Sequence, residues 1–228
     1  MNSKYSNFLT ILLVLIIIAI IAIIGFLGFK YYEASVKKNE AEKFVGSFGE
    51  QTQNDKNNNT DNPKLDNNDM FDGVEEGNNQ NNGGTTSGTN NKPKYNGFLT
   101  EGTIEIPAIN LSCPILSRSE YSEKALNTAV VELYGPGLNQ VGNTTISGHN
   151  YRNGTFFSNN KKLKIGDKVY ITDLTGKRLA YTIYEKFEAE DNYADYMVRD
   201  TQGAIEISLS TCTDDTKKRI IIFAKADV

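Results

Sequence analysis

Imidazole is scarce in this chain: among 228 residues, His149 is the one histidine. Acid–base chemistry that needs an imidazole near neutral pH therefore has a single source. Cysteine is nearly as scarce. Cys113 and Cys212 stand far apart, which argues against a disulfide framework and against a C-x-x-C metal site. One histidine and two cysteines also fall short of an ordinary closed zinc site without help from carboxylates. A basic field is missing too. The 24 Lys and Arg against 28 Asp and Glu leave a net charge of −4, so nucleic acid is not an expected partner. At 39% the hydrophobic share is low for a globular chain, and the shortfall is local.

What is there divides the chain into segments of different composition. After a short tail at 1–7, residues 8–29 (FLTILLVLIIIAIIAIIGFLGF) form an uncharged run of 22 residues. About 20 apolar residues cross the hydrocarbon core, so this run is read as a transmembrane helix. It is too long for a signal-peptide core, and Lys30-Tyr31-Tyr32 follows it directly. Residues 30–50 mix Ala, Glu and Lys and are expected to continue as a short helix to about Val45, with Gly46 as the stop. Residues 51–97 are dominated by Asn, Asp, Gly and Thr, with too few apolar side chains to offset chain entropy. They are expected to be a disordered tether lifting the following domain off the membrane.

A folded domain is expected over 98–228. Strand-like runs recur at Gly102–Ile106, Leu111–Leu116, Thr128–Tyr134, Asn143–His149, Asp167–Thr172, Lys177–Phe187 and in both arms of Ala204–Ala224. Pro114 suggests an edge or a bulge. Turns of helix are expected near 119–127 and 156–161. About eight short strands with one or two minor helices predict an all-β domain, most economically a closed or nearly closed barrel, because closure removes strand edges.

The last two strands carry the chemistry. In the first arm Ile205, Ile207, Leu209 and Thr211 share one face, and Glu206, Ser208, Ser210 and Cys212 the other. Cys212 thus falls on the polar face at a strand end. Arg219 opens the second arm, and closing the hairpin sets it on the strand adjacent to Cys212, about 5 Å away. His149 likewise ends a strand, on the same side as Ser147. A thiol needs activation before it attacks a carbonyl, and an imidazole beside it is the usual activator. An arginine alongside suits the oxyanion that such an attack creates. Cys113, set among Leu111, Pro114 and Ile115, is read as core packing.

Ile146-Ser147-Gly148-His149, Leu209-Ser210-Thr211-Cys212 and Arg219, in that order, resemble the signature of the sortases, cell-surface transpeptidases of Gram-positive bacteria. The resemblance covers the chain from about Phe98 onward. It implies a sortase-like β-barrel with Cys212 as nucleophile, His149 as acid–base and Arg219 as oxyanion partner. It further implies a thioacyl intermediate with an LPxTG-like sorting motif of surface proteins, passed to an amine of a peptidoglycan precursor or a pilin. Ser147, Ser210 and Thr211, with Tyr193 and Tyr196 in the preceding loop, are the expected substrate contacts. No cofactor is required. Some sortases bind calcium with acidic residues in this region, which makes Glu188, Glu190 and Asp191 the candidate ligands, although an acidic loop is also read as a solvated surface. Two alternatives stay open: a cysteine endopeptidase with water as acceptor, and a tethered wall-peptide-binding module without turnover.

The flanking lysines, counted by the positive-inside rule, would put the C-terminal side in the cytoplasm. The resemblance implies the reverse, a single-pass anchor with the catalytic domain outside the cell, and the reading follows it. The loop between Phe187 and Ala204 is short and no hydrophobic anchor follows the last strand. Both weigh against the sortase classes with a long helix there and against the pilus-polymerising type, and the class itself stays open.

Overall fold

The computed structural model describes residues 3–57 and 92–228. The expected tether at 51–97 therefore falls, over 58–91, outside the described residues.

Helix α1 (Ser3–Asn57) carries the apolar run and continues well beyond it. The span Phe8–Gly49 is apolar enough to cross a membrane, and its most apolar stretch is unburied, as a lipid-facing helix would be. Gly46 does not stop the helix. A mid-helix glycine costs about 1 kcal/mol against alanine. Here it is outweighed by a stripe at Ala41, Phe44 and Phe48, whose spacing shares one helix face. Ala41 and Phe48 are buried and Phe44 packs on the core, its ring 5.2 Å from that of Tyr95. Burying one large apolar side chain is worth ~1.5–3 kcal/mol, more than the glycine takes away. The solvent side carries ion pairs one turn apart, Glu33 with Lys37 at 3.3 Å and Lys38 with Glu42 at 3.7 Å.

The strands are β1 (Lys94–Tyr95), β2 (Phe98–Ile106), β3 (Leu111–Leu116), β4 (Val130–Tyr134), β5 (Gly142–Ser147), β6 (Lys168–Asp173), β7 (Arg178–Glu190), β8 (Ile205–Cys212) and β9 (Lys218–Ala226). They form one sheet in the order β1-β2-β3-β4-β5-β8-β9-β7-β6, and β6 pairs back onto β2. Strands β2 to β9 thus close an eight-stranded barrel, and β1 adds a two-residue strip that begins pairing at Lys94, inside the span read as tether. The β3–β4 and β5–β8 pairs are parallel and the rest antiparallel. Pro114 sits in β3 just before its pairing with β4 begins at Ile115, where a missing N–H removes no ladder bond on that side.

Ile104, Ile115, Ile146, Ile171, Ile183 and Ile207 fill the core without solvent exposure. β-branched side chains of this kind suit a pleated surface buried on its inner face. Helix is minor outside α1. α2 (Glu123–Leu126) starts at Ser122, whose Oγ accepts from the Ala125 N–H at 3.2 Å. Single 3-10 turns lie at Asn160–Lys162 and Asp195–Met197.

Candidate active site

The polar face of β8 is the first departure from the alternation pattern. Glu206, Ser208 and Ser210 are buried, not solvated. The segment between β7 and β8 folds over them. Asn143, at the start of β5, donates from Nδ2 to the carbonyls of Tyr196 and Met197 at 2.9 and 3.1 Å. Its Oδ1 accepts from Ser208 Oγ at 2.8 Å and from Arg199 Nη2 at 3.1 Å. Arg199 also pairs with Glu206 and lies 4.0 Å above the Phe223 ring. Tyr196 Oη donates to Ser210 Oγ at 3.2 Å. This cover stops short of the strand end, so Cys212 is the residue of that face left half exposed.

Across the hairpin Cys212 is paired directly with Arg219. On its other side β8 runs parallel to β5, with Ser147 opposite Ser210, and the Gly148 N–H donates to the Ser210 carbonyl at 3.1 Å. Strand β5 ends at Ser147, and His149 lies two residues beyond it, past the Gly148 contact to β8. Asn150 ties these ends together, donating from Nδ2 to the Cys212 carbonyl at 3.0 Å and to Asp214 Oδ1 at 3.0 Å. Arg219 is in turn opposite Ala189 of β7. Cys212, Arg219 and Ala189 thus stand on three neighbouring strands, and His149 follows the end of a fourth, β5.

Gly148 is needed for this approach. A Cβ there would meet Val130 Cγ1 at 2.7 Å and Phe157 Cδ2 at 2.9 Å, inside van der Waals contact. His149 is half-buried, with its ring 5.1 Å from that of Tyr151. Burial holds its pKa below the ordinary histidine value, a shift that the charge of Glu123 partly opposes. A neutral imidazole able to accept a proton follows from that at neutral pH. Arg219 donates from Nη2 to Asp191 Oδ1 at 2.8 Å and from Nε to the Asp191 carbonyl at 3.4 Å, which fixes the plane of the guanidinium.

The second thiol has a different setting. Cys113 is buried among core residues, and burial pushes its pKa up to about 12. It is held as a thiol and is inert as a nucleophile, in keeping with its reading as packing.

The expected substrate contacts separate into two groups. Ser147 is half-buried and Tyr193 is exposed. Ser210, Thr211 and Tyr196 are buried and floor the site from within; the Thr211 Oγ1 has no hydrogen-bond partner. Ser210 and Tyr196 are buried by the cover over β8, a long-range contact that strand alternation does not report, whereas Thr211 lies on the opposite face with Leu209. Tyr193 instead lines an open cleft of about 650 Å³ with Phe187, Glu188, Glu190, Asn192 and Asp195, on the Arg219 side of Cys212.

The acidic candidates do not assemble as a calcium site. Glu190 faces Lys218 at 3.5 Å and Asp191 is engaged by Arg219. Among the described residues no group of three or more His, Cys, Asp or Glu is arranged to hold a metal ion. Asn150, Asn143 and Asp191 are the positioning residues that sequence reasoning missed. A weak signal existed for Asn150, which directly follows the Gly-His pair.

Comparison with known proteins agrees with this geometry. A family model described as the sortase domain matches residues 104–227, just over half of the chain. Sortase A of Bacillus anthracis is 31% identical over 124 residues, 53% of this chain and 57% of that one. The chain thus spans little more than half the length of that curated relative. Among solved structures, a Clostridium perfringens sortase D5 transpeptidase aligns with a TM-score of 0.51 at 27% identity, over 57% of this chain and 79% of the other. Clostridium perfringens sortase C, solved with the C-terminal cell wall sorting motif, aligns with a TM-score of 0.50 at 25% identity, over 57% and 71%.

Proposed function

The chain belongs to the sortase family, and from that premise we propose that it is a membrane-anchored cysteine transpeptidase acting on an LPxTG-like sorting motif. The observation that carries the reading is the pairing of Cys212 with Arg219, together with the bond from Asn150, the residue after His149, to the Cys212 carbonyl. His149 takes the Cys212 proton, and the thiolate attacks the scissile carbonyl of the motif. A C–S bond forms and the carbonyl π pair moves onto oxygen, where the Arg219 guanidinium meets it. The oxyanion collapses, the C–N bond breaks, and the imidazolium gives its proton to the leaving amine. The product is a thioester on Cys212. An incoming amine then attacks that carbonyl, a new C–N bond forms, the C–S bond breaks, and His149 takes the amine's proton and returns it to the thiolate. Two such half-reactions predict ping-pong kinetics.

The donor peptide is assigned to the Phe187–Asp195 cleft, which flanks Arg219 and carries Tyr193. The acceptor is an amine of a peptidoglycan precursor or a pilin. The apolar part of α1 is the anchor, spanning once with the barrel outside the cell. Neither the acidic loop nor any metal takes part in a step.

The test is intact-mass spectrometry of the full chain in detergent micelles after incubation with a panel of sorting-motif peptides. The expected result is an acyl adduct that vanishes in Cys212→Ala and is discharged by an added amine. An adduct that persists in Cys212→Ala overturns the assignment of the nucleophile. Absence of an adduct with every peptide, with no amine-dependent product, leaves only the binding-module reading. Discharge by water alone whatever amine is added makes the enzyme an endopeptidase.

A further inference from the structure

An exchange reaction has two substrates, and one cleft is assigned so far. A second cleft, of about 700 Å³, lies on the other flank of the reaction centre. One wall is helix α1 just past the apolar run, with Tyr31, Ala34 and Lys37. The facing wall is the segment after β5, with Tyr151 and Asn153, and Asn127 beyond α2. The volume is of the size that binding clefts have.

Tyr151 links this cleft to the chemistry. Its ring packs 5.1 Å from that of His149, and its hydroxyl donates to Asn127 Oδ1. Across the sheet the sequence of parts is then this second cleft, His149, Cys212, Arg219 and the Tyr193 cleft. One cleft is joined to this row through Tyr151, and the other through Ala189, the partner of Arg219.

The lining suits an amide- and hydroxyl-rich carrier. Asn127, Asn153, Thr155 and the phenols of Tyr31 and Tyr151 supply neutral donors and acceptors. Glu33, the carboxylate of the lining, is neutralised by Lys37 at 3.3 Å and Lys30 at 3.6 Å. It is not free to trap a cationic amine at the mouth. Glu123 acts electrostatically on both His149 and Tyr151, the two rings that join the cleft to the chemistry.

We propose that the cleft between helix α1 and the 150–159 segment receives the amine-bearing acceptor, a peptide or amide-rich primary amine, so that the membrane helix completes the acceptor side of the active site. The inference rests on the transpeptidase reading above. The helix wall begins one residue after Phe29, which puts the mouth at the membrane surface. An acceptor borne at that surface enters without leaving it. The donor peptide uses the opposite flank.

The test reads how one acyl-enzyme divides between two fates. The full chain in lipid nanodiscs is acylated with a sorting-motif peptide and offered triglycine or Nα-acetyl-lysine amide. The ratio of amide product to hydrolysed product does not depend on how fast the acyl-enzyme forms. Ala34→Trp fills the cleft from the helix wall and Asn153→Trp fills it from the other. Each is expected to lower that ratio about tenfold and to raise the KM for the amine. Phe44→Ser, which undocks the helix without altering the lining, is expected to lower it as well. Docking is read separately, by thiol labelling of Cys113 in a Cys212→Ala background, because Cys113 shares a groove with Ala41 of the helix. Ratios unchanged in both tryptophan variants overturn the inference, whether or not the helix stays docked. An unchanged ratio in Phe44→Ser with Cys113 newly labelled overturns the role of the helix. A native chain that forms no acyl-enzyme at all overturns the transpeptidase reading and this inference with it, whereas a native chain that transfers normally isolates the acceptor cleft as the point at issue.

Discussion

Arg219 is held by two contacts to Asp191, and that is what separates it from an ordinary strand-end cation. A fixed guanidinium plane can present donors to an oxyanion without reorganising during the reaction. Lysine offers a point charge with neither the fork nor the Asp191 clamp. Arg219→Lys is expected to lower kcat about a hundredfold with little change in the KM of the donor peptide. Full transpeptidation by that variant would remove the oxyanion role. His149 gives a second test at this scale. Because burial lowers its pKa, the unfolded chain takes up the imidazole proton before the folded chain does as pH falls. Its contribution to stability is therefore lost as pH drops through about 6.5, the ordinary histidine value, toward the lower folded one. Thermal melts between pH 8 and 5 are expected to show a steeper acid-side decline for the native chain than for His149→Gln; parallel curves would contradict the burial argument. The pairing of Cys212 with Arg219 was legible in the sequence. Strand alternation and a short hairpin are local rules, and Cys212 paired with Arg219 is a local consequence. Asp191 was read as a candidate calcium ligand or a solvated surface carboxylate, because its partner, 28 positions away, is invisible to such rules.

At the scale of elements, the β7–β8 connection matters most. It contains a single 3-10 turn, Asp195–Met197, so it has little internal structure to hold it. It is pinned from outside by Asn143, which bonds two of its carbonyls, Ser208 and Arg199 at once. Asn143→Ala leaves several buried groups unpaired, at a cost of about 2 kcal/mol. The connection also walls the Tyr193 cleft. The expected phenotype is a several-fold rise in the KM of the donor peptide together with faster hydrogen exchange in residues 195–199. Unchanged exchange there would show that the pin is redundant. This element also explains the main misreading of β8. Its alternation was correct, but the polar face is covered and not open to a substrate along its length. Ser210 and Tyr196 were expected at the substrate and are instead bonded to each other in the interior. The contact that buries them joins residues 14 apart through a segment with no periodicity, and neither side announces it.

For the whole molecule, the barrel and the helix are one packed unit. The barrel was legible from eight strand-like runs and the need to close edges. The docked helix was not, because Gly46 is a sound local stop signal and the burial that overrides it depends on a partner more than 40 residues away at Tyr95. Phe48→Ala removes a ring that is 1% exposed and is expected to cost roughly 3 kcal/mol, lowering the Tm of the full chain in micelles by several degrees. A Tm unchanged within error would mean that the helix rests on the barrel without stabilising it.

One feature of the helix bears on where the proposed chemistry takes place. From Phe29 at the end of the apolar run to Ala41 on the barrel is twelve residues of unbroken helix, about 18 Å at 1.5 Å per residue. A rigid post of that height acts as a gauge. With the apolar run taken as the proposed anchor, the strand ends carrying Cys212 and Arg219 keep a set height above the lipid headgroups, and altering the length of residues 58–91 leaves that altitude unchanged, since the chain on both sides of them is fastened to the same post.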